Sequence, residues 1–284
     1  MNRLEQAKRA AALCGLGGLL YQMASILLVN VPLPPLAAWQ TLVVAMMKNA
    51  LALAAPFLLL KLQPMQGEGL LLKRPRNATA VPLFLLFWVM VWAGTGAAWL
   101  LGQLLKAPSD TVVLQQGWLL ILQWAALAIV PAVGEELLFR GLLQGYLRPY
   151  GSWAAVLGQA VIFALLHGNA QNCLAALFGG IALGICAECS GSIFVGMAFH
   201  LYNNTAAFVW QYHRQFGTAQ PLAAFLDYLF PAAVLVWYLV WRRQKKSVRL
   251  QLPPWTGAAE LTASPGWAVS VLLLAVFMIL QTMT

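Results

Sequence analysis

Residues 119–147 read LLILQWAALAIVPAVGEELLFRGLLQGYL. As a helix, this stretch is long enough to cross a hydrocarbon core of ~30 Å. Its only charged residues are Glu135, Glu136 and Arg140. The length decides the fold class, and the three charges mark where chemistry is to be sought. Working outward, further apolar runs lie at 10–29, 38–60, 80–101, 153–167, 173–189, 193–212, 222–241 and 267–283, which predicts about eight or nine spans. Every backbone amide in lipid must be satisfied within its own segment, so runs of this length predict helices and not a barrel.

Composition agrees. The 284 residues are 61% hydrophobic and 9% charged, with mean hydropathy +0.75, whereas soluble domains carry roughly 25% charged residues. A soluble fold is excluded, and the expectation is one all-α polytopic membrane domain over 1–284, with the lipid bilayer as its solvent. The net charge of +9 could suggest nucleic acid, but the basic residues cluster in short loops: Arg3, Lys8 and Arg9; Lys61, Lys73, Arg74 and Arg76; Arg148; and Arg242, Arg243, Lys245, Lys246 and Arg249. The alternate loops hold little beyond Lys106 and Arg214. This parity predicts a cytoplasmic N-terminus and no nucleic-acid partner. The first run is long for a signal sequence and is read as an uncleaved span.

Small residues at four-residue spacing, Ala176, Gly180 and Gly184 on one run and Ala160, Ala164 and Gly168 on another, predict close helix contacts. The lone Cys186–Cys189 pair reads as packing rather than redox or metal chemistry. Lys48, beside Asn49 in mid-span, is expected to find a structural partner, with contact to a substrate tail as the alternative. Glu188 is expected to be solvated at a span end, and His213 and Arg214 to lie in a surface loop. The 12 Trp fit interfacial belts.

Glu135, Glu136, Arg140, His167 and His200 all fall within predicted spans, where a charge at mid-bilayer costs about 2.5–3.5 kcal/mol on insertion scales. On a helix, Glu136 and Arg140 are four apart and can pair, while Glu135 points about 100° away. Pro131, just upstream, is expected to bend or open the helix. A buried ion pair would explain Glu136 and Arg140 but would leave Glu135 over. Gln159, Phe163 and His167 share one stripe, and His200 and Asn204 another that continues through Gly196 and Ser192. A carboxylate in a dry pocket can take a proton from water, and His and Asn can donate to an oxyanion. No GxSxG motif is present, so activated water is the economical nucleophile of a hydrolase.

The ordered motifs Glu135-Glu136-x-x-x-Arg140, Phe163-x-x-x-His167 and His200-x-x-x-Asn204 resemble those of the CAAX protease and bacteriocin-processing (Abi) family of intramembrane endopeptidases. The resemblance covers roughly 119–210, a four-helix catalytic core, with 1–118 and 213–284 as accessory spans. It implies that Glu135 activates water with help from His167, that His200 and Asn204 stabilise the oxyanion, and that Glu136 and Arg140 are architectural. It also implies a membrane protein or peptide substrate, cut near its C-terminal tail, and a prokaryotic inner membrane. The family has been described both as metal-independent and as zinc-dependent. For Zn²⁺ the ligands would be Glu135, His167 and His200, with Glu136 as base; the metal-free reading is preferred because Asn204 is a poor zinc ligand. Rival expectations are a proton-coupled transporter or channel, disfavoured by the lack of a visible inverted repeat, and a non-catalytic immunity or scaffold protein.

Overall fold

A computed structural model describes residues 2–62, 70–75, 80–105, 112–244 and 261–283. Arg76, Lys106, Lys245, Lys246 and Arg249, used above for orientation, lie outside these. Among the described residues nine principal helices follow the nine apolar runs: α1 (Arg3–Val29), α2 (Ala38–Lys61), α3 (Ala80–Leu105), α4 (Trp118–Tyr150), α5 (Ser152–Leu165), α6 (Ala170–Ser190), α7 (Ile193–Phe216), α8 (Gln220–Arg243) and α9 (Pro265–Met283). Seven are long and apolar enough to cross a membrane. The other two are α5, which is apolar but has 14 residues, and α7, whose His200, Asn203, Asn204, Gln211 and Arg214 dilute its hydropathy.

Side-chain caps set the helix starts that matter for the site. Asn169 Oδ1 accepts from the Asn172 N–H at 2.8 Å at the head of α6, and Ser192 Oγ accepts from the Phe194 N–H at 3.3 Å at the head of α7. Each satisfies an orphan donor of a first turn. α5, about 21 Å long by its rise per residue, ends at Leu165, short of a full crossing.

Close helix approach follows the small residues. A Cβ at Gly180 would lie 3.2 Å from Ala160 Cα and one at Gly184 2.7 Å from Gln159 Nε2, so α5 and α6 meet along the expected stripes. Gly168 is not part of that stripe: it follows the end of α5 and takes φ +85° in the turn to α6, a conformation that favours glycine. α1 closes on α9 at Gly15 and Ser270, and on α5 at Gly18 and Ile162.

α4 is continuous, but two wide turns interrupt it, at Ala125–Ile129 and Glu136–Leu143. In the first, the Val130 N–H reaches back five residues to the Ala125 carbonyl. Pro131 has no N–H to offer the preceding turn, and the π-type widening absorbs that loss without breaking the helix. The expected opening before the glutamates is thus a change of winding. Cys186 and Cys189 are both buried and are not joined in a disulfide.

Candidate active site

Glu135 closes the α-helical segment between the two wide turns of α4, and Glu136 opens the second of them. Glu136 and Arg140 are fully buried and paired at 2.7 Å, as their spacing requires. Arg140 Nη2 also donates to the Gly180 carbonyl at 3.4 Å, and its guanidinium lies 4.4 Å from the centre of the Phe163 ring. Gln159 Nε2 donates to the same Gly180 carbonyl at 2.8 Å. The close approach of α5 and α6 therefore serves the ion pair as well as packing.

The same Glu136 oxygen, Oε1, accepts the Nδ1–H of His200 at 3.0 Å. No local pattern announces this bond, because it joins residues 64 apart on different helices. Gly196 permits it: a Cβ there would sit 2.5 Å from Glu136 Oε2. The small residue one turn before His200 makes room for a carboxylate rather than for a neighbouring backbone or a substrate.

With Nδ1 committed, His200 turns Nε2 toward Glu135, whose Oε2 lies 3.8 Å away. His167, two residues beyond the end of α5 and not within the helix, donates Nδ1–H to the Phe163 carbonyl at 2.7 Å, which leaves Nε2 as the lone-pair nitrogen. The Phe163 ring packs edge-on against His167 with centroids 4.5 Å apart.

Glu135, His167, His200 and Asn204 line one pocket of about 380 Å³. Its walls include Leu127, Pro131, Ala207 and Phe208, and its rim includes Val112, Gln211 and Arg214. Glu135 keeps 15% of its side-chain surface exposed, so solvent reaches a carboxylate set between two imidazoles and near a carboxamide. Such a group can take a proton from water. The rim segment is extended and held by side-chain amides. Gln215 bonds both the N–H and the carbonyl of Leu114, at 2.7 and 3.0 Å. Gln211 donates to the Val112 carbonyl at 2.9 Å, and Gln123 donates to the Val113 carbonyl at 3.0 Å.

Three sequence expectations are corrected. Glu188 is not solvated: its Oε1 accepts from Arg148 at 2.8 Å and from Gln144 at 2.7 Å, because α6 packs against the end of α4. His213 and Arg214 belong to the last turn of α7, which continues past 212 to Phe216. Lys48 makes no hydrogen bond or ion pair among the described residues; it sits between Met47 and Leu51, on a side of α2 where those apolar side chains are exposed.

Among the described residues no three His, Cys, Asp or Glu side chains are gathered to hold a metal ion. His200 binds Glu136 through Nδ1, so Nε2 is the ring nitrogen it presents to the pocket.

Residues 117–206 match the family model described as Rce1-like, type II CAAX prenyl endopeptidase. Comparison with curated proteins and with solved structures gives no significant match. The family match covers α4 to the middle of α7 and contains all six polar residues discussed above. This part of the chain is thus similar to CAAX-type endopeptidases, and the seven apolar helices are those of an integral, multi-pass membrane protein.

Proposed function

We propose that the pocket hydrolyses a peptide bond of a membrane-associated protein or peptide, near its C-terminal tail, using water activated by Glu135. The observation that carries this is the convergence of Glu135, His200 and Asn204, from α4 and α7, and of His167, from the turn after α5, on one solvent-reached pocket. Glu135 takes a proton from water while His167 Nε2 accepts a hydrogen bond that orients it. The oxygen attacks the scissile carbonyl, and the negative charge moves to the carbonyl oxygen. Asn204 Nδ2 donates to that oxyanion. His200 does so from Nε2 in its doubly protonated form, with Glu136 as counter-ion. Glu135 then passes its proton to the departing amine as the C–N bond breaks.

In this reading Glu136 and Arg140 hold His200 in place, 119–210 forms the catalytic core, and 1–118 and 213–284 are accessory spans. No step is routed through a metal. Arg3, Lys8 and Arg9 at the start of α1 support a cytoplasmic N-terminus, in keeping with a prokaryotic inner membrane. The test is a comparison of membrane-protein termini by mass spectrometry in cells carrying wild-type protein or Glu135→Gln. New C-termini that appear only with the wild type are expected; identical sets of termini would overturn the reading.

A further inference from the structure

The pocket has a direction. One end of the bundle gathers the basic residues: Arg3 Nη2 donates to the Pro149 carbonyl at 3.4 Å, Arg148 pairs with Glu188 at 2.8 Å, and Lys61 and Arg242 end α2 and α8 there. At the other end, where Val112 meets Gln211 and Ala170 meets Thr282, Arg214 is the one cation among the described residues. The catalytic pocket opens at this second end, with Arg214 on its rim. By the positive-inside rule it faces away from the cytoplasm.

Arg214 is exposed and donates one hydrogen bond, from Nη2 to Gln211 Oε1 at 2.9 Å, and it forms no ion pair among the described residues. A second cavity of about 330 Å³ shares Arg214 and contains Asp227, whose Oδ2 accepts from Trp210 Nε1 and which forms no ion pair with Arg214. The guanidinium thus retains free donors beside the route to Glu135. Asn204 and Arg214 are ten residues apart on α7, about 15 Å along the axis. An extended peptide covers that distance in about four or five residues.

We propose that the pocket takes a carboxylate-bearing peptide from the side of the membrane opposite the basic loops, and that Arg214 holds that carboxylate about four residues beyond the scissile bond. This rests on the hydrolase reading above, and it sets the substrate class apart from tails presented on the cytoplasmic face.

The test uses full-length Glu135→Gln protein in a bacterial inner membrane, probed in right-side-out spheroplasts and in inside-out vesicles. The probes are membrane-impermeant fluorescent decapeptides of degenerate sequence, ending in a carboxylate or a carboxamide. Binding is expected in spheroplasts only, with the carboxylate form about five- to tenfold tighter, the range for a partly exposed charge-assisted pair. Arg214→Gln should remove that preference and Arg214→Lys should keep part of it. Equal affinity for both peptides, a preference that survives Arg214→Gln, or binding from inside-out vesicles alone overturns the proposal. Amidated peptides with one internal Asp show whether a side-chain carboxylate serves as well as a terminal one. If wild-type protein leaves the bound peptides uncut, the hydrolase reading fails while the carboxylate site stands.

Discussion

Glu136 Oε1 accepts the Nδ1–H of His200 at 3.0 Å, and the same oxygen is 2.7 Å from Arg140 Nη1. One buried oxygen thereby couples the ion pair inside α4 to the orientation of an imidazole on α7. Stability and site geometry share this contact, and mutations can separate them.

Arg140 and Glu136 are both fully buried, so removing one partner strands the other charge. Arg140→Leu is expected to cost about 3–5 kcal/mol, whereas the double variant Glu136→Leu/Arg140→Leu should recover most of that loss, because no charge is left unpaired. The double variant nonetheless frees His200 Nδ1 and should stay inactive. Thermal unfolding in detergent, paired with product detection by mass spectrometry, reads both effects. A double variant as unstable as Arg140→Leu contradicts the pairing argument.

Glu135→Gln removes the base while keeping shape, and activity should fall by about 10²–10⁴-fold with little change in unfolding temperature, since Glu135 lines a pocket rather than the core. His167→Ala should lower activity as well. The combination should be no worse than Glu135→Gln alone, because groups that handle the same water act as a unit. Fully multiplicative losses would mean that His167 acts elsewhere.

The rim supplies a dynamic test. Gln215 bonds both backbone groups of Leu114, so Gln215→Ala should release that segment. Hydrogen exchange at the Leu114 amide is expected to speed up by about tenfold, the equivalent of about 1.4 kcal/mol, with helix amides in α7 unchanged. An unaltered rate would show that Gln211 and Gln123 suffice to hold the rim.

Much of this architecture was legible in the chain because it depends on local regularities. Nine apolar runs became nine helices, and the four-residue spacing of Glu136 and Arg140 predicted their pairing. The small residues Ala160, Gly180 and Gly184 likewise predicted close helix contacts, and α5 and α6 meet there. What the sequence withheld was set by relations between helices. The His200–Glu136 bond, the Arg148–Glu188–Gln144 cluster and the glutamine clamp on Val112–Leu114 all join residues with no periodic relation. The end of α7 was misplaced for a different reason: His213 and Arg214 look like loop residues by hydropathy, yet the helix continues through them to Phe216.

Gly196 offers the sharpest separation of fold from function. A Cβ there would lie 2.5 Å from Glu136 Oε2, too close for any relaxed contact, and the carboxylate it meets is confined by Arg140 and His200. Gly196→Ala must therefore push Glu136 rather than swing a free side chain. Helix propensity favours alanine over glycine by up to about 1 kcal/mol, while overpacking typically costs about 1–3 kcal/mol. The net loss of stability should be small, about 2 kcal/mol or less. Catalysis should suffer more, since a displacement of an ångström in a positioned group can cost about 10²-fold. Gly196→Ala is thus expected to unfold within a few degrees of wild type yet process membrane-protein termini at least tenfold more slowly. Wild-type turnover in this variant would show that the Glu136–His200 contact does not position the site.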